Sequence, residues 1–111
     1  MYRQGRSTAN RELVLYVFPN AAAESPRVGL SVSRKVGGAV ERNRVKRLLR
    51  EAFAQARDRV PSGNDVVLVA RPDALALAER EGLAGVEASL GELLERAGMG
   101  VSRQAAERDA G

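Results

Sequence analysis

Residues 41–53, ERNRVKRLLREAF, restrict the fold more than any other part of the chain. Five of these thirteen residues are cationic, yet an apolar series runs through them. Val45, Leu48, Leu49, Ala52, Phe53 and Ala56 stand at i, i+3, i+4, i+7, i+8 and i+11, the spacing of one helix face. At about 100° per residue they fill one arc, while Asn43, Arg44, Lys46, Arg47 and Arg50 cover the rest. A helix over 39–57 must therefore bury one side and present cations on the other. Arg42 falls near the apolar arc, but in the first turn, where it projects past the edge of whatever the helix covers.

The flanking segments supply what the helix packs on. Residues 12–18 (ELVLYVF) are rich in β-formers, and both parities are apolar: Leu13, Leu15 and Val17 against Val14, Tyr16 and Phe18. This predicts a strand covered on both sides. Residues 19–26 (PNAAAESP) read as a hairpin loop. Residues 27–33 alternate, with Val28, Leu30 and Val32 on one face and Gly29, Ser31 and Ser33 on the other. The small, polar face either lies in solvent or admits a closely approaching chain. Residues 34–38 (RKVGG) form a basic turn, and 65–70 (DVVLVA) a short, central, buried strand.

A second helix is expected over 86–97, with Val86, Leu90, Leu93, Leu94 and Ala97 facing inward. Two glycines limit 75–85 to at most an extra turn, and residues from Gly98 onward read as frayed. Residues 1–11 are polar and broken by Gly5 and Ser7-Thr8. The order is β-β-α-β-α in one α+β domain over 1–97, followed by a flexible tail over 98–111. The third strand follows a helical crossover, which favours a parallel pairing in an otherwise antiparallel sheet.

With no Cys, thiolate chemistry and zinc ribbons are excluded; with no His, a Ser-His-Asp triad is excluded. No apolar run reaches the length of a membrane helix, and the first residues lack the apolar centre of a signal peptide. A cytoplasmic protein is the expectation. Charge is uneven: residues 1–60 hold thirteen cations against five acids, a net +8, and 61–111 hold five against nine, a net −4. Such asymmetry points to a polyanion. The predominance of Arg fits bidentate phosphate contacts, and equally fits GC-biased coding. A helix needing only solubility would mix charge signs, whereas here Lys46 and Arg50 repel at i, i+4. A basic helix beside a small-residue sheet face favours RNA over a DNA major groove.

Residues 27–53, RVGLSVSRKVGGAVERNRVKRLLREAF, together with ANRELVLYV at 9–17 and DVVLVARPDA at 65–74, resemble the protein component of bacterial ribonuclease P. Arg42-Asn43-Arg44 matches the family's RNR motif. The resemblance implies a two-layer α/β sandwich with a small mixed sheet and a left-handed βαβ crossover. It also implies two partners, the catalytic RNA and the 5′ leader of precursor tRNA. The RNA performs the hydrolysis with Mg²⁺ that it mainly binds itself, so no protein active site is expected. By position, Arg34, Lys35, Arg42, Asn43, Arg44, Lys46, Arg47 and Arg50 would contact RNA. Tyr2, Tyr16, Ser31, Ser33 and Arg71 would line the leader cleft.

Two departures from the family pattern stand out. The family's usual N-terminal helix is nearly absent, which would leave a sheet face uncovered and favour weak self-association. Gly38 stands where Asn is common. Two other readings remain open from the residues: a different structured-RNA binder, such as a ribosome-associated factor, and a metal-dependent nuclease using Asp65 and Asp73.

Overall fold

The computed structural model describes residues 6–22 and 24–99. Its sheet is centred on β2 (Leu13–Pro19) and β4 (Asn64–Ala70), flanked by β1 (Arg6–Ala9) and β3 (Val28–Val32) in the order β1-β2-β4-β3. β1 pairs antiparallel with β2, β2 antiparallel with β4, and β3 parallel with β4. The parallel pair is joined through α1 (Ala39–Ala56) and a 3₁₀ turn at Arg57–Arg59, and α2 (Asp73–Arg96) follows β4. Both helices pack on one face of the sheet, giving two layers and a mixed α+β fold.

The core lies between those layers. Register sets Leu13, Leu15 and Val17 beside Ala70, Leu68 and Val66, and these beside Val32, Leu30 and Val28. From α1, Val45, Leu49, Ala52, Phe53 and Ala56 are buried against them, and Leu48 is half-buried at the margin. This is the apolar face the helical spacing defined. Phe53 is fully buried, a contribution of about 1.5–3 kcal/mol for a side chain of this kind.

Five expectations are corrected. β1 is a strand, although Arg6-Ser7-Thr8-Ala9 has no apolar alternation; β2 supplies its ladder, and Arg96 Nη1 donates to the Ala9 carbonyl at 2.7 Å. Residues 19–26 do not close a hairpin, because β4 lies between β2 and β3. Among the described residues β2 is covered on one face only: Tyr16 and Phe18 are exposed and Val14 is half-buried. α2 begins at Asp73 rather than near 86, with a kink at Gly82 (φ 62°) that only glycine adopts without strain. That kink lets Ala74, Leu77 and Ala78 join the core alongside Val86, Leu90, Leu93 and Leu94.

The fifth correction concerns the C-terminal end. Gly98 (φ 86°) and Met99 close α2 rather than fray from it. Met99 N donates to the Leu94 carbonyl at 2.7 Å and Gly98 N to the Glu95 carbonyl at 3.0 Å, a Schellman closure, and Met99 is buried. The rest of the expected tail, the expected loss of the N-terminal helix and Tyr2 all lie outside the described residues.

Candidate nucleic-acid interface

The outer surface of α1 is organised from its first turn. Glu41 Oε1 accepts from Gly38 N at 2.9 Å, and the Gly38 carbonyl accepts from Arg42 N at 2.9 Å. The one acid in the turn thus satisfies an orphan amide of the helix start. Asn43, Arg44, Arg47 and Arg50 are exposed, while Arg42 and Lys46 are half-buried along the flanks. Among the described residues, ion pairs form only at Arg27–Asp65, Arg80–Glu81 and Arg96–Glu92. Within the described residues, no cation of α1 is held in an ion pair. Val40 lies 80% exposed at the helix start and, with Leu48, puts apolar surface beside Arg44 and Arg47.

The turn before α1 is pinned at a residue that sequence reasoning passed over. Val36 is buried in the core, and its amide donates to the Ser33 carbonyl at 3.0 Å. Lys35 N donates to Ser33 Oγ at 3.3 Å. Gly37 is enclosed: a Cβ there would stand 2.9 Å from Glu41 Cβ and 3.3 Å from Leu75 Cδ2. The anchored turn holds Arg34 and Lys35 exposed at its tip. The available signal was that Val36 is the one apolar side chain in a basic turn.

The second surface is the sheet face away from the helices. Register puts Ser31, Val69 and Val14 in one cross-strand row, and Gly29, Val67, Tyr16 and Ser7 in the next. Phe18 follows opposite Asp65. Ser31 and Gly29 are exposed and lack bulk, so the β3 side of the face is low while Tyr16 and Phe18 stand up from β2. Their rings are parallel within 11°, with centroids 6.1 Å apart. Ser33, just past β3, stands at the same end as Arg34 and Lys35; Arg71, just past β4, is exposed there as well.

Other arginines are committed to the fold. Arg57 Nη1 donates to the Pro26 carbonyl at 2.6 Å, and its guanidinium lies 5.2 Å from the Phe53 ring centroid. Arg59 Nε donates to the Met99 carbonyl at 2.9 Å. Arg71 Nη1 donates to the Asn10 carbonyl at 3.0 Å, so this predicted cleft residue also ties the β1–β2 turn. Asp65 is gripped by Arg27 at 3.0 Å and by Asn20 Nδ2 at 2.8 Å. The Arg27 hydrogen bond, reinforced by that from Asn20, holds its carboxyl below the usual carboxylate range. Asp73 begins α2 beyond the opposite end of β4, so the two carboxylates of the nuclease reading do not meet. Among the described residues, no group of three His, Cys, Asp or Glu side chains could hold a metal ion.

Comparison with known proteins is consistent across sequence and structure. A family model described as Ribonuclease P matches residues 1–103. The ribonuclease P protein component of Bacillus cereus (strain Q1) is 38% identical over 99 residues, covering 89% of this chain and 83% of the relative. That of Brevibacillus brevis is 42% identical over 97 residues, covering 87% and 74%. The solved RNase P protein of Staphylococcus aureus superposes with a TM-score of 0.72 at 34% identity, covering 84% of this chain and 81% of the other. That of Thermotoga maritima gives 0.72 at 34% identity, covering 83% of each.

Proposed function

The chain belongs to the bacterial ribonuclease P protein family, the protein component of the endoribonuclease that matures tRNA 5′ ends, and from this premise we propose a division of labour between its two surfaces. The α1 surface and the turn at 33–38 hold the catalytic RNA through Arg34, Lys35, Arg42, Asn43, Arg44, Lys46, Arg47 and Arg50. The open sheet face, with Tyr16, Ser31, Ser33 and Arg71, holds the 5′ leader of precursor tRNA.

One observation carries this reading. The exposed cations of the turn at 33–38 and the start of α1 stand at one end of a sheet face whose relief is low on β3 and aromatic on β2. Cations draw phosphates and release their counterions; an apolar trough beside them suits unstacked bases. A strand bound on that face is tethered to the RNA held by α1, which raises its local concentration at the site of cleavage.

The Mg²⁺ of the reaction belongs in this reading to the RNA, where it would supply charge stabilisation at the phosphodiester. Among the described residues the carboxylates do not fit a protein-held ion: Asp65 is engaged by Arg27 and Asn20, and no cluster of three candidate ligands forms. The protein's own contribution is binding and orientation. The same reading puts the protein in the cytoplasm, with the precursor tRNA.

The test is reconstitution with the catalytic RNA at low Mg²⁺, measuring cleavage and the affinities for precursor and mature tRNA. Cleavage is expected only when both components are present, with the protein raising affinity for precursor over mature tRNA. A ratio of those affinities that the protein leaves unchanged would remove the leader-binding assignment.

A further inference from the structure

The open sheet face extends past the residues already assigned to it. Phe18 lies two residues beyond Tyr16 on β2, on the same face and 40% exposed, with Tyr16 at 37%. Two large rings left side by side in solvent are costly for a fold whose other phenylalanine, Phe53, is fully buried. We propose that Phe18 is a second base-stacking position, lengthening the leader-binding face beyond Tyr16 toward the Arg27–Asp65 end of the sheet. The inference rests on the leader reading above.

Three observations converge on it. The rings are parallel within 11° at 6.1 Å, close to the two-residue repeat of a strand at about 6.7 Å. Successive bases of an extended strand can each meet one ring face, the arrangement single-strand binders use. Next, Asp65 lies opposite Phe18, and its charge is compensated by Arg27. The Arg27 side chain remains 72% exposed, leaving guanidinium N–H groups for a phosphate beyond the second ring. Last, Phe18 stands at the end of the sheet opposite the start of α1, because β3 and β4 both run toward the turn that enters α1 and the bend at Arg71. With the start of α1 and its preceding basic turn against the catalytic RNA near the cleavage site, Phe18 takes a leader nucleotide farther from that site than Tyr16 does. A phenyl ring carries no hydrogen-bonding group, so this position strengthens binding without choosing a base.

The experiment measures binding of precursor tRNAs, with leaders lengthened one nucleotide at a time, to the reconstituted holoenzyme under non-cleaving conditions. Wild type is expected to gain affinity until the face is filled. Phe18→Ala should stop gaining earlier and bind the longest leaders about tenfold more weakly, within the range for removing one base–aromatic stack. The shortest leaders and mature tRNA should bind as in wild type. Phe18→Trp should restore the long-leader gain, and Phe18→Leu, which keeps apolar bulk without a ring, should not. A Phe18→Ala profile that follows wild type at every length, or full affinity in Phe18→Leu, overturns the proposal. If Phe18→Ala changes only the sedimentation of the free protein, the ring serves contact between copies and the proposal is again overturned. Tyr16→Ala separates the two levels. A loss there with none at Phe18 sinks only the second position, whereas a wild-type affinity independent of leader length sinks the leader reading itself.

Discussion

Asn10 and Ser89 lie 79 residues apart in sequence and are joined by a 2.9 Å hydrogen bond from Asn10 Nδ2 to Ser89 Oγ. The same amide group reaches the Ser89 carbonyl at 3.2 Å and Glu92 Oε1 at 3.0 Å, while Asn10 Oδ1 accepts from Glu12 N and Leu13 N. Ser89 Oγ in turn donates to Glu12 Oε1 at 3.1 Å. One side chain thus fastens the β1–β2 turn to the second half of α2, and with it the strand that carries Tyr16 and Phe18.

Asn10→Ala is expected to destabilise the protein by about 1–3 kcal/mol, because partners in a partly buried network lose their bonds together. Asn10→Asp should not restore it: a carboxylate there would face Glu12 and Glu92 without the N–H donors. Urea unfolding at neutral pH measures both. An Asn10→Ala midpoint equal to wild type would show that the network contributes nothing to stability.

Adjacent glycines should behave differently. Gly37→Ala puts a methyl 2.9 Å from Glu41 Cβ, which cannot yield without moving α1, and 3.3 Å from Leu75 Cδ2 of α2, and should cost about 1–3 kcal/mol. Gly38 has φ −75°, open to any residue, and a Cβ there meets only Glu41 Oε1, the end of a flexible side chain that can shift while keeping its bond to the residue 38 amide. Gly38→Asn adds a helix-capping side chain and removes glycine's unfolded-state freedom, so it should stabilise by about 0.5–1 kcal/mol. Denaturant midpoints for the two variants are expected to move in opposite directions.

Replacing Arg44, Lys46 and Arg47 together with Ala should weaken binding to the catalytic RNA and flatten its salt dependence. The log–log slope should fall by roughly 0.7–0.9 for each phosphate that is no longer neutralised. Arg57→Ala is the contrasting variant. Its guanidinium serves the Pro26 carbonyl and the Phe53 ring, so stability should fall while the salt slope holds. Titrations at several salt concentrations distinguish the two, and an unchanged slope in the triple variant would remove the α1 surface from the RNA interface.

Asp65 sets an acid dependence. Its folded pKa is held below its ordinary value, so its contribution to stability is present above the unfolded carboxylate value and is lost as pH falls through the folded one. Asp65→Asn should therefore be less stable than wild type at neutral pH, and the gap should close in acid below about pH 4. Unfolding midpoints across that range read the difference; a gap independent of pH would mean that the Arg27 ion pair is not its source.

The α1 face was legible because a helix repeats every 3.6 residues, so Val45, Leu49 and Phe53 could be assigned inward and Asn43, Arg47 and Arg50 outward from spacing alone. β3 was legible for the same kind of reason at a period of two, and β4 as a short, nearly all-apolar run. β1 was not, since Arg6–Ala9 has no apolar side to reveal; only the backbone ladder with β2 makes it a strand. The first half of α2 was obscured by Gly82 and Gly85. The first of these is a kink the chain uses, and the second is buried where a Cβ would stand 2.6 Å from Glu81 Cβ.

The chain's local pattern determined the basic helix, the alternation of β3, the central place of β4 (though its Val67 and Val69 are only half-buried) and, through the RNR stretch in its context, the family. These depend on neighbours within a few residues. Tertiary structure alone decided which apolar face of β2 is covered, because Leu15 and Tyr16 differ only in which side of the sheet the helices occupy. It also decided which arginines are engaged: Arg57, Arg59 and Arg96 reach carbonyls of distant segments, while Arg44, Arg47 and Arg50 reach none among the described residues. Those pairings join residues tens of positions apart, and no periodicity along the chain records them.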